Sequence, residues 1–366
     1  MKLVETDAGN GTEIYQLSDD PRPTDNIYGE QPYASADGRR IALRHYADEN
    51  ADGGLSLLDL DDGSLHPVIA GTPRFPAFHA WGDHLYTQEE AKDGAVLIRI
   101  DYRTLQREEL IPLPAAEGRY SYGTVSPDGR YYAVIVHPEG APCRLLLFDL
   151  VRGGRRVLAE AVNQLFKHEQ FSLDGGNRIL IQANSADVTV VNLGAVGVDG
   201  GEIDWLPVDA PPLTPIGRWP GGERYTPRCT GHEAWIGATG RVLLSTAYDE
   251  VRRACLWSAA VGDDAPSAVH LGPLRFGHVS VSRCGRYWIA DAIEEEGVPI
   301  YLGSFAAGAC RRLIHSRTIH DGKQWSHTHP YLTADNHWLI FTSTRAGRPQ
   351  VFGARLQESW LAELNA

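Results

Sequence analysis

The chain has 366 residues, a length that ordinarily divides into two or three domains unless the sequence repeats itself. Hydrophobic residues make up 43% and charged residues 22%, and 38 Gly, 22 Pro and a single Met favour a turn-rich β protein over disorder or helical bundles. The net charge of −13 argues against binding to the phosphate backbone of nucleic acids. The sequence begins without a signal-peptide core of about 7–15 apolar residues and has no apolar run of about 18 residues, so we expect a cytoplasmic protein without membrane contact.

A short pattern, S-x-D-G followed by an apolar strand, recurs along the chain. Seven turns carry it in clear or worn form, and their markers are Asp37, Asp83, Asp128, Asp174, Thr239, Cys284 and Asp335. The markers are separated by 46, 45, 46, 65, 45 and 51 residues. A period near 45 residues with four short strands per unit is typical of propeller blades. The pattern therefore predicts an all-β fold, a seven-bladed β-propeller with four-stranded antiparallel blades, as one domain over residues 1–366.

The 65-residue interval contains one insertion, which we place at about residues 195–225. It is rich in Gly and Pro and predicts a long loop on a functional face. A pair of β-sandwiches would also contain frequent turns, but seven evenly spaced copies favour the propeller.

The segment Gln324–His329 is the first candidate for chemistry. In an extended strand, residues i and i+2 point to the same face, so His327 and His329 would project together. Two imidazoles on one face suit a divalent metal, and Gln324 can add an amide oxygen. Most of the other histidines are scattered singly and are interpreted as surface or locally satisfied side chains.

Position within the blades strengthens this interpretation. His168, His232 and His278 each precede the turn of a successive blade, on the strand expected to line the central channel, and His327 and His329 do so in the last blade. Histidines that only fill channel positions beside water are the alternative. Their recurrence in register favours convergence on one site.

Gln324-x-x-His327-x-His329-Pro, together with His278 in G-H-V-S-V-S and His232 in G-H-E-A-W, resembles the oligogalacturonate lyases of polysaccharide lyase family 22. That family consists of seven-bladed propellers, so the resemblance implies the same fold. It also implies that His278, Gln324, His327 and His329 hold a manganese-type ion, and that His232 lies beside the substrate in catalysis. The family's proposed base is an arginine after the fourth turn, where residues 184–192 contain none. Arg228, four residues before His232, is the candidate to replace it.

The expected reaction is β-elimination on a uronate-containing oligosaccharide. A metal on the uronate carboxylate neutralises charge, and His232, with an ordinary pKa of about 6.5, takes the proton. Imidazole and amide ligands suit Mn²⁺ first, with Ni²⁺, Zn²⁺ or Fe²⁺ as alternatives. We expect His168, Lys167 and Arg345 to contribute to binding of this small acidic substrate.

Two other classes of function stay open on the sequence. One is a lyase or hydrolase acting on a different uronate-containing glycan. The absence of the family's arginine is the reason for considering it. The other is a non-catalytic propeller of the TolB or WD type that binds a protein partner.

Overall fold

The structure, a computed structural model, describes residues 1–48, 51–71, 74–161, 164–185, 190–208, 229–246, 254–272 and 274–364. Its strands form seven antiparallel sheets arranged as the blades of a propeller, which confirms the predicted fold class. In each blade the innermost strand lies beside the central channel, and the following strands lie progressively outward. The described residues include no helix long and apolar enough to cross a membrane.

The first four blades are continuous in sequence. Blade 1 consists of β3 (Thr24–Asp25), β4 (Arg40–Asp48), β5 (Ala51–Asp59) and β6 (Leu65–Ala70). Blade 2 consists of β7 (Arg74–Ala77), β8 (His84–Ala91), β9 (Gly94–Asp101) and β10 (Arg107–Pro114). Blade 3 consists of β11 (Arg119–Tyr120), β12 (Thr124–Val125), β13 (Tyr131–His137), β14 (Cys143–Asp149) and β15 (Arg155–Ala161), after a 3₁₀ turn at Ala115–Glu117. Blade 4 consists of β16 (Gln164–Phe171), β17 (Arg178–Ser185), β18 (Val191–Gly197) and β19 (Asp204–Trp205).

Blades 5 and 6 follow in chain order, and blade 7 is built from both ends of the chain. Blade 5 consists of β20 (Cys229–Trp235), β21 (Arg241–Thr246), β22 (Ala254–Ala260) and β23 (Ser267–Leu271). Blade 6 consists of β24 (Val279–Val281), β25 (Tyr287–Asp291), β26 (Pro299–Ser304) and β27 (Cys310–His315). Blade 7 consists of β28 (Tyr331–Leu332), β29 (Trp338–Ser343), β30 (Gln350–Arg355), β2 (Glu13–Gln16) and β1 (Lys2–Thr6). The chain ends in helix α1 (Glu358–Leu364).

The seven predicted turns all connect the innermost strand of a blade to its second strand. In the first, the Ser35 hydroxyl donates to Asp37 Oδ1 at 2.6 Å and accepts the backbone N–H of Arg40 at 2.9 Å. Gly38 has a φ of 74°, a conformation that glycine adopts without steric cost. The repeated pattern therefore specifies a turn that ends one strand and starts the next.

The hydrophobic core lies between the blades. Seven clusters of buried side chains occur, one at each junction between neighbouring blades. Because each strand presents alternate side chains to its two faces, every blade contributes to two of these clusters. This packing fixes the blades around the channel and holds the ends of the innermost strands close together.

Part of the predicted insertion is regular structure. Residues 195–197 belong to β18, and β19 follows as the outermost strand of blade 4 after a turn in which Gly200 has a φ of 82°. The predicted loop therefore begins later than residue 195. Residues 209–228 lie outside the described residues.

Candidate active site

Three histidines converge at the channel between blades 6 and 7. The ligand atoms of His278, His327 and His329 all lie within 4.8 Å of one another. Nε2 of His278 is 3.1 Å from Nδ1 of His327. His278 and His329 are buried, and His327 is half-buried. The predicted grouping of these three side chains is present in the structure.

The path that brings His327 and His329 together differs from the predicted strand. Gln324–Ser326 form a 3₁₀ turn, and β28 begins only at Tyr331. His329 has a φ of 41°, a left-handed conformation that is rare for a residue with a side chain and especially before proline. The two side chains thus converge through a strained loop, a feature that is concentrated at functional sites.

A buried carboxylate orients His278. Asp291 Oδ1 accepts the backbone N–H of His278, and Oδ2 lies 2.8 Å from its Nδ1. The hydroxyl of Thr328 also donates to Asp291. Burial by itself would raise the pKa of Asp291, but the charge and hydrogen bond of His278 and the hydrogen bond of Thr328 lower it. A carboxylate on the far nitrogen of a histidine is the usual support for a metal ligand, since it directs Nε2 toward the metal.

The other two histidines have the protonation state that a ligand needs. Burial, reinforced by the charges of neighbouring histidines, lowers the pKa of His327 to about 4 and that of His329 well below its ordinary value. Nδ1 of His329 is buried without a hydrogen-bond partner among the described residues. The amide nitrogen of Gln324, Nε2, lies 3.0 Å from Nε2 of His329, at the edge of the cluster. Neutral imidazoles beside an amide fit a divalent cation.

His232 lies directly beside this cluster. Its ring centroid is 4.7 Å from that of His278, and its Nδ1 is hydrogen-bonded to Oε1 of Glu30. Burial raises the pKa of Glu30 to about 7, and burial lowers the pKa of His232 to about 4, aided by the charge of His168. Both shifts favour the uncharged forms, so near neutral pH the imidazole of His232 is neutral and Glu30 is partly protonated. The remaining nitrogen of His232, Nε2, is not engaged by Glu30.

His168 occupies the matching position in the blade before. Both histidines lie at bulges of the innermost strand, between Lys167 and Gln170 in β16 and between Cys229 and Glu233 in β20. A bulge redirects side chains and is common beside active sites. His168 Nδ1 lies 3.3 Å from the buried Glu233. Burial would lower the pKa of His168, but Glu233 and nearby carboxylates outweigh it and raise the pKa to about 9.

A cavity of about 940 Å³ opens next to the histidines. Gln324, Tyr28, Lys167 and His168 are among its lining residues. The ring of Tyr28 connects it to the cluster, with its centroid 4.7 Å from His329 and 5.8 Å from His168. The cavity therefore borders the histidine cluster at Tyr28 and Gln324.

Two predicted residues are not part of this arrangement as described. Arg345 is buried in contacts with Glu5, at 2.9 Å, and with the backbone oxygen of Ser316, at 3.1 Å, and the described lining of the cavity does not include it. Arg228 lies outside the described residues. Their roles in binding and catalysis stay predictions.

Several site residues were not foreseen from the sequence. They are Tyr28, Glu30, Asp291 and His320, together with His137, which is one of the histidines interpreted as surface or locally satisfied side chains but lines the cavity. The ring of His320 lies 5.0 Å from that of His327. No local motif marks these positions.

The fold and the site together define a seven-bladed β-propeller with a histidine cluster that can bind metal. Comparison of the sequence with protein-family models and with curated proteins finds no match. Among solved structures, the chain is similar to an oligogalacturonate lyase in complex with manganese, with a TM-score of 0.74, 20% identity and 98% of each chain covered. An oligogalacturonate lyase from Vibrio parahaemolyticus gives a TM-score of 0.73 at 17% identity, again with 98% of each chain covered. The β-propeller domain of the Trilobed protease from Pyrococcus furiosus gives 0.52 at 11% identity, covering 88% of this chain and 91% of that one. At these identities the likeness establishes the fold.

Proposed function

We propose that the protein is a metal-dependent lyase that cleaves uronate-containing oligosaccharides by β-elimination. The observation that carries the proposal is the contact between the histidine cluster and a separate His–Glu pair, with the rings of His278 and His232 4.7 Å apart. One group of side chains can bind a metal, and the other can move a proton beside it. The shared fold with two oligogalacturonate lyases, one of them in complex with manganese, supports the same reaction class.

The metal would be held by His278, His327 and His329, with Gln324 as a fourth ligand. Mn²⁺ is the first candidate, and Ni²⁺, Zn²⁺ or Fe²⁺ also suit imidazole and amide ligands. A divalent cation here would neutralise the carboxylate of the sugar and stabilise the charge that develops on it when the neighbouring carbon loses its proton. Asp291 orients His278 for this role.

His232 would act as the base. With Nδ1 hydrogen-bonded to Glu30, Nε2 can accept the proton at C5, next to the uronate carboxylate. The electrons of that C–H bond form the C4–C5 double bond as the bond from C4 to the leaving oxygen breaks. The leaving oxygen takes up a proton from water. The negative charge of an ionised Glu30 would stabilise the imidazolium while it exists.

The substrate is expected to enter through the cavity beside the cluster. Lys167 and His168 line it and would contact the acidic oligosaccharide. Arg228, which lies outside the described residues, keeps its predicted role in catalysis, and Arg345 keeps its predicted role in substrate binding. The substrate is therefore a small, negatively charged carbohydrate with a uronate at the cleaved bond.

The proposal is tested by comparing the wild type with His327→Ala and with a control, His337→Ala. His337 belongs to the same blade, but its side chain is 60% exposed and, among the described residues, has Asp335 as its ion-pair partner. After chelation and reloading with Mn²⁺, we expect the wild type and the control to bind metal by elemental analysis and to form the unsaturated product from digalacturonate, measured by its ultraviolet absorbance. His327→Ala should lose both. Absence of metal, and of product from digalacturonate and other uronides, would refute the proposal.

A further inference from the structure

His168 lies on the cavity wall at the point where the cavity approaches the histidine cluster. The centroid of its ring is 5.8 Å from that of Tyr28, and the ring of Tyr28 is 4.7 Å from that of His329. Both His168 and Tyr28 line the cavity. A single aromatic ring therefore separates His168 from the cluster, so a ligand bound at the cluster has only a short distance to span to reach this imidazole.

The backbone holds His168 in a conformation that directs its side chain into the cavity. Its φ is 55°, at the bulge between Lys167 and Gln170 in β16. This left-handed conformation is unfavourable for a residue with a Cβ atom, and residues of this kind are concentrated at functional sites. In a regular strand, Lys167 and His168 would point to opposite faces, whereas here both line the cavity.

A buried carboxylate from the next blade supports the imidazole of His168. Oε1 of Glu233 lies 3.3 Å from Nδ1 of His168, and the Glu233 side chain is 0% exposed. Neither carboxylate oxygen has a hydrogen-bond partner among the described residues, so Glu233 is left to its ion pair with His168. Nδ1 of His168 is also buried, whereas the side chain as a whole is 29% exposed. The exposed part of the ring is therefore turned away from Glu233, and Nε2 is the nitrogen that can donate into the cavity.

The charges around His168 keep it protonated near neutral pH. The titratable groups around it are the carboxylates of Glu30, Glu169 and Glu233, the phenol of Tyr28, the imidazole of His232 and the exposed ammonium of Lys167. Burial by itself would lower the pKa of His168, but the three carboxylates, Glu233 first, outweigh burial and raise the pKa to about 9. His168 is therefore an imidazolium with a proton on Nε2.

A β-elimination needs a proton donor as well as a base. In the proposed function His232 takes the proton from C5, and the oxygen that leaves C4 has to gain one. Since C4 is bonded to C5, that oxygen lies less than one sugar ring from the carboxylate bound at the cluster. His232 contacts the cluster at His278, whereas Tyr28 and His168 adjoin it at His329. The structure thus offers two separate groups for the two proton transfers.

We infer that His168 is the general acid of the reaction and donates its Nε2 proton to the oxygen that leaves C4. The inference rests on the proposed function and puts His168 in the place of water as the proton donor. As the C4–O bond breaks, its electron pair stays on the oxygen, which takes the proton and becomes a hydroxyl group of the released sugar. His168 is left neutral, with its remaining proton on Nδ1 beside Glu233. When the products leave, His168 regains a proton from solvent and His232 releases one.

The first test compares two substrates in the wild type, in His168→Gln and in a control, His337→Gln, whose histidine is 60% exposed. For digalacturonate, His168→Gln should lower kcat by about 10²–10⁴-fold, the usual contribution of general acid catalysis. The second substrate is galacturonate with a dinitrophenyl ether at O4, whose leaving group departs as a stable anion without a proton. On this substrate His168→Gln should retain the kcat of the wild type. The control should match the wild type on both substrates.

The second test uses Glu233→Gln, which removes the charge that raises the pKa of His168. The acid then loses its proton at lower pH, so the alkaline fall in kcat for digalacturonate should move to lower pH than in the wild type. For the dinitrophenyl ether, this shift should be absent. If His168→Gln binds no Mn²⁺ by elemental analysis, and so is not folded, an unshifted alkaline limb in Glu233→Gln would overturn the inference.

The two substrates also separate this inference from the proposed function. A wild type that forms no product from either substrate refutes the lyase and the general acid together. If the wild type is active but His168→Gln slows both substrates equally, or neither, His168 is not the acid and the lyase stands.

Discussion

Glu30 decides which nitrogen of His232 can accept a proton. The Glu30 side chain is 1% exposed. When its carboxylate is ionised, it accepts a hydrogen bond from the N–H at Nδ1 of His232, so that Nε2 of His232 keeps its lone pair. The second oxygen, Oε2, is buried without a hydrogen-bond partner among the described residues. A buried carboxylate that is only partly satisfied is costly to stability, and such groups are typical of sites where the charge is used.

We predict that Glu30→Gln lowers kcat and leaves metal binding intact. The amide N–H of glutamine can donate to Nδ1, which would move the imidazole proton to Nε2 and block it as a base. The loss should approach the usual contribution of general-base catalysis, about 10²–10⁴-fold. Steady-state kinetics with elemental analysis of the same sample measures both effects. A variant with full metal content and wild-type kcat would contradict the role of Glu30.

The histidines could be predicted from the sequence, but the carboxylates that orient them could not. His278, His327 and His329 could be predicted because the turn pattern places them at equivalent positions in neighbouring blades. Glu30 and Asp291 could not, since they carry no motif, and Glu30 is 202 residues from His232. The resemblance to the lyases indicates an arginine as base, and Arg228, the candidate for it, lies outside the described residues. Beside His232, the structure places the carboxylate of Glu30.

At the scale of strands, glycine marks where a blade must accommodate a large side chain. Gly303 of β26 is directly opposite Trp288 of β25. A Cβ atom at Gly303 would lie 2.0 Å from the indole ring, and Trp288 is fully buried. Gly197, at the end of β18, also lies in a strand, but a Cβ atom there would have no atom within 4 Å.

We predict opposite effects for alanine at these two glycines. Gly303→Ala should destabilise the protein by about 1–3 kcal/mol, because the indole has to move within a packed core. Gly197→Ala should be neutral or stabilise by about 0.4–1 kcal/mol, because alanine restricts the unfolded chain. Urea unfolding of both variants measures the difference. Equal free energies of unfolding for the two variants would show that the Trp288 side chain can move without a loss of stability.

The architecture was more predictable than the path of individual segments. Seven recurring turns fix the number of blades. In the three that begin at Ser35, Ser126 and Ser172, a Ser hydroxyl, an Asp and a Gly specify the turn locally, and the other four keep part of this pattern. The segment before β28 could not be deduced in the same way. Its alternation of histidines indicated a strand, but contacts with blade 1 hold it as a loop, including a 2.7 Å hydrogen bond from Asn26 Nδ2 to the backbone oxygen of His329.

For the molecule as a whole, closure of the ring is linked to the histidine cluster. Blade 7 combines strands from both termini, and Asn26 of the adjoining blade 1 segment is fully buried at the junction. Besides its bond to His329, Asn26 exchanges hydrogen bonds with Thr342, at 3.0 Å through its backbone N–H and at 2.7 Å through its side-chain oxygen. His329, a proposed metal ligand, is therefore held by the contact that closes the ring.

We predict that metal stabilises the folded ring and that Asn26 transmits part of this effect. At a hundredfold excess over its Kd, Mn²⁺ should add about 2.7 kcal/mol and raise the Tm measured by calorimetry. Asn26→Ala should lower the Tm without metal, because it leaves buried partners unsatisfied at about 1–3 kcal/mol each, and should also weaken Mn²⁺ binding. The matched control is Asn10→Ala, which removes a 2.7 Å hydrogen bond to Leu313 away from the site. It should lower the Tm alone, and equal Mn²⁺ affinity in the two variants would mean that ring closure and the metal site are independent.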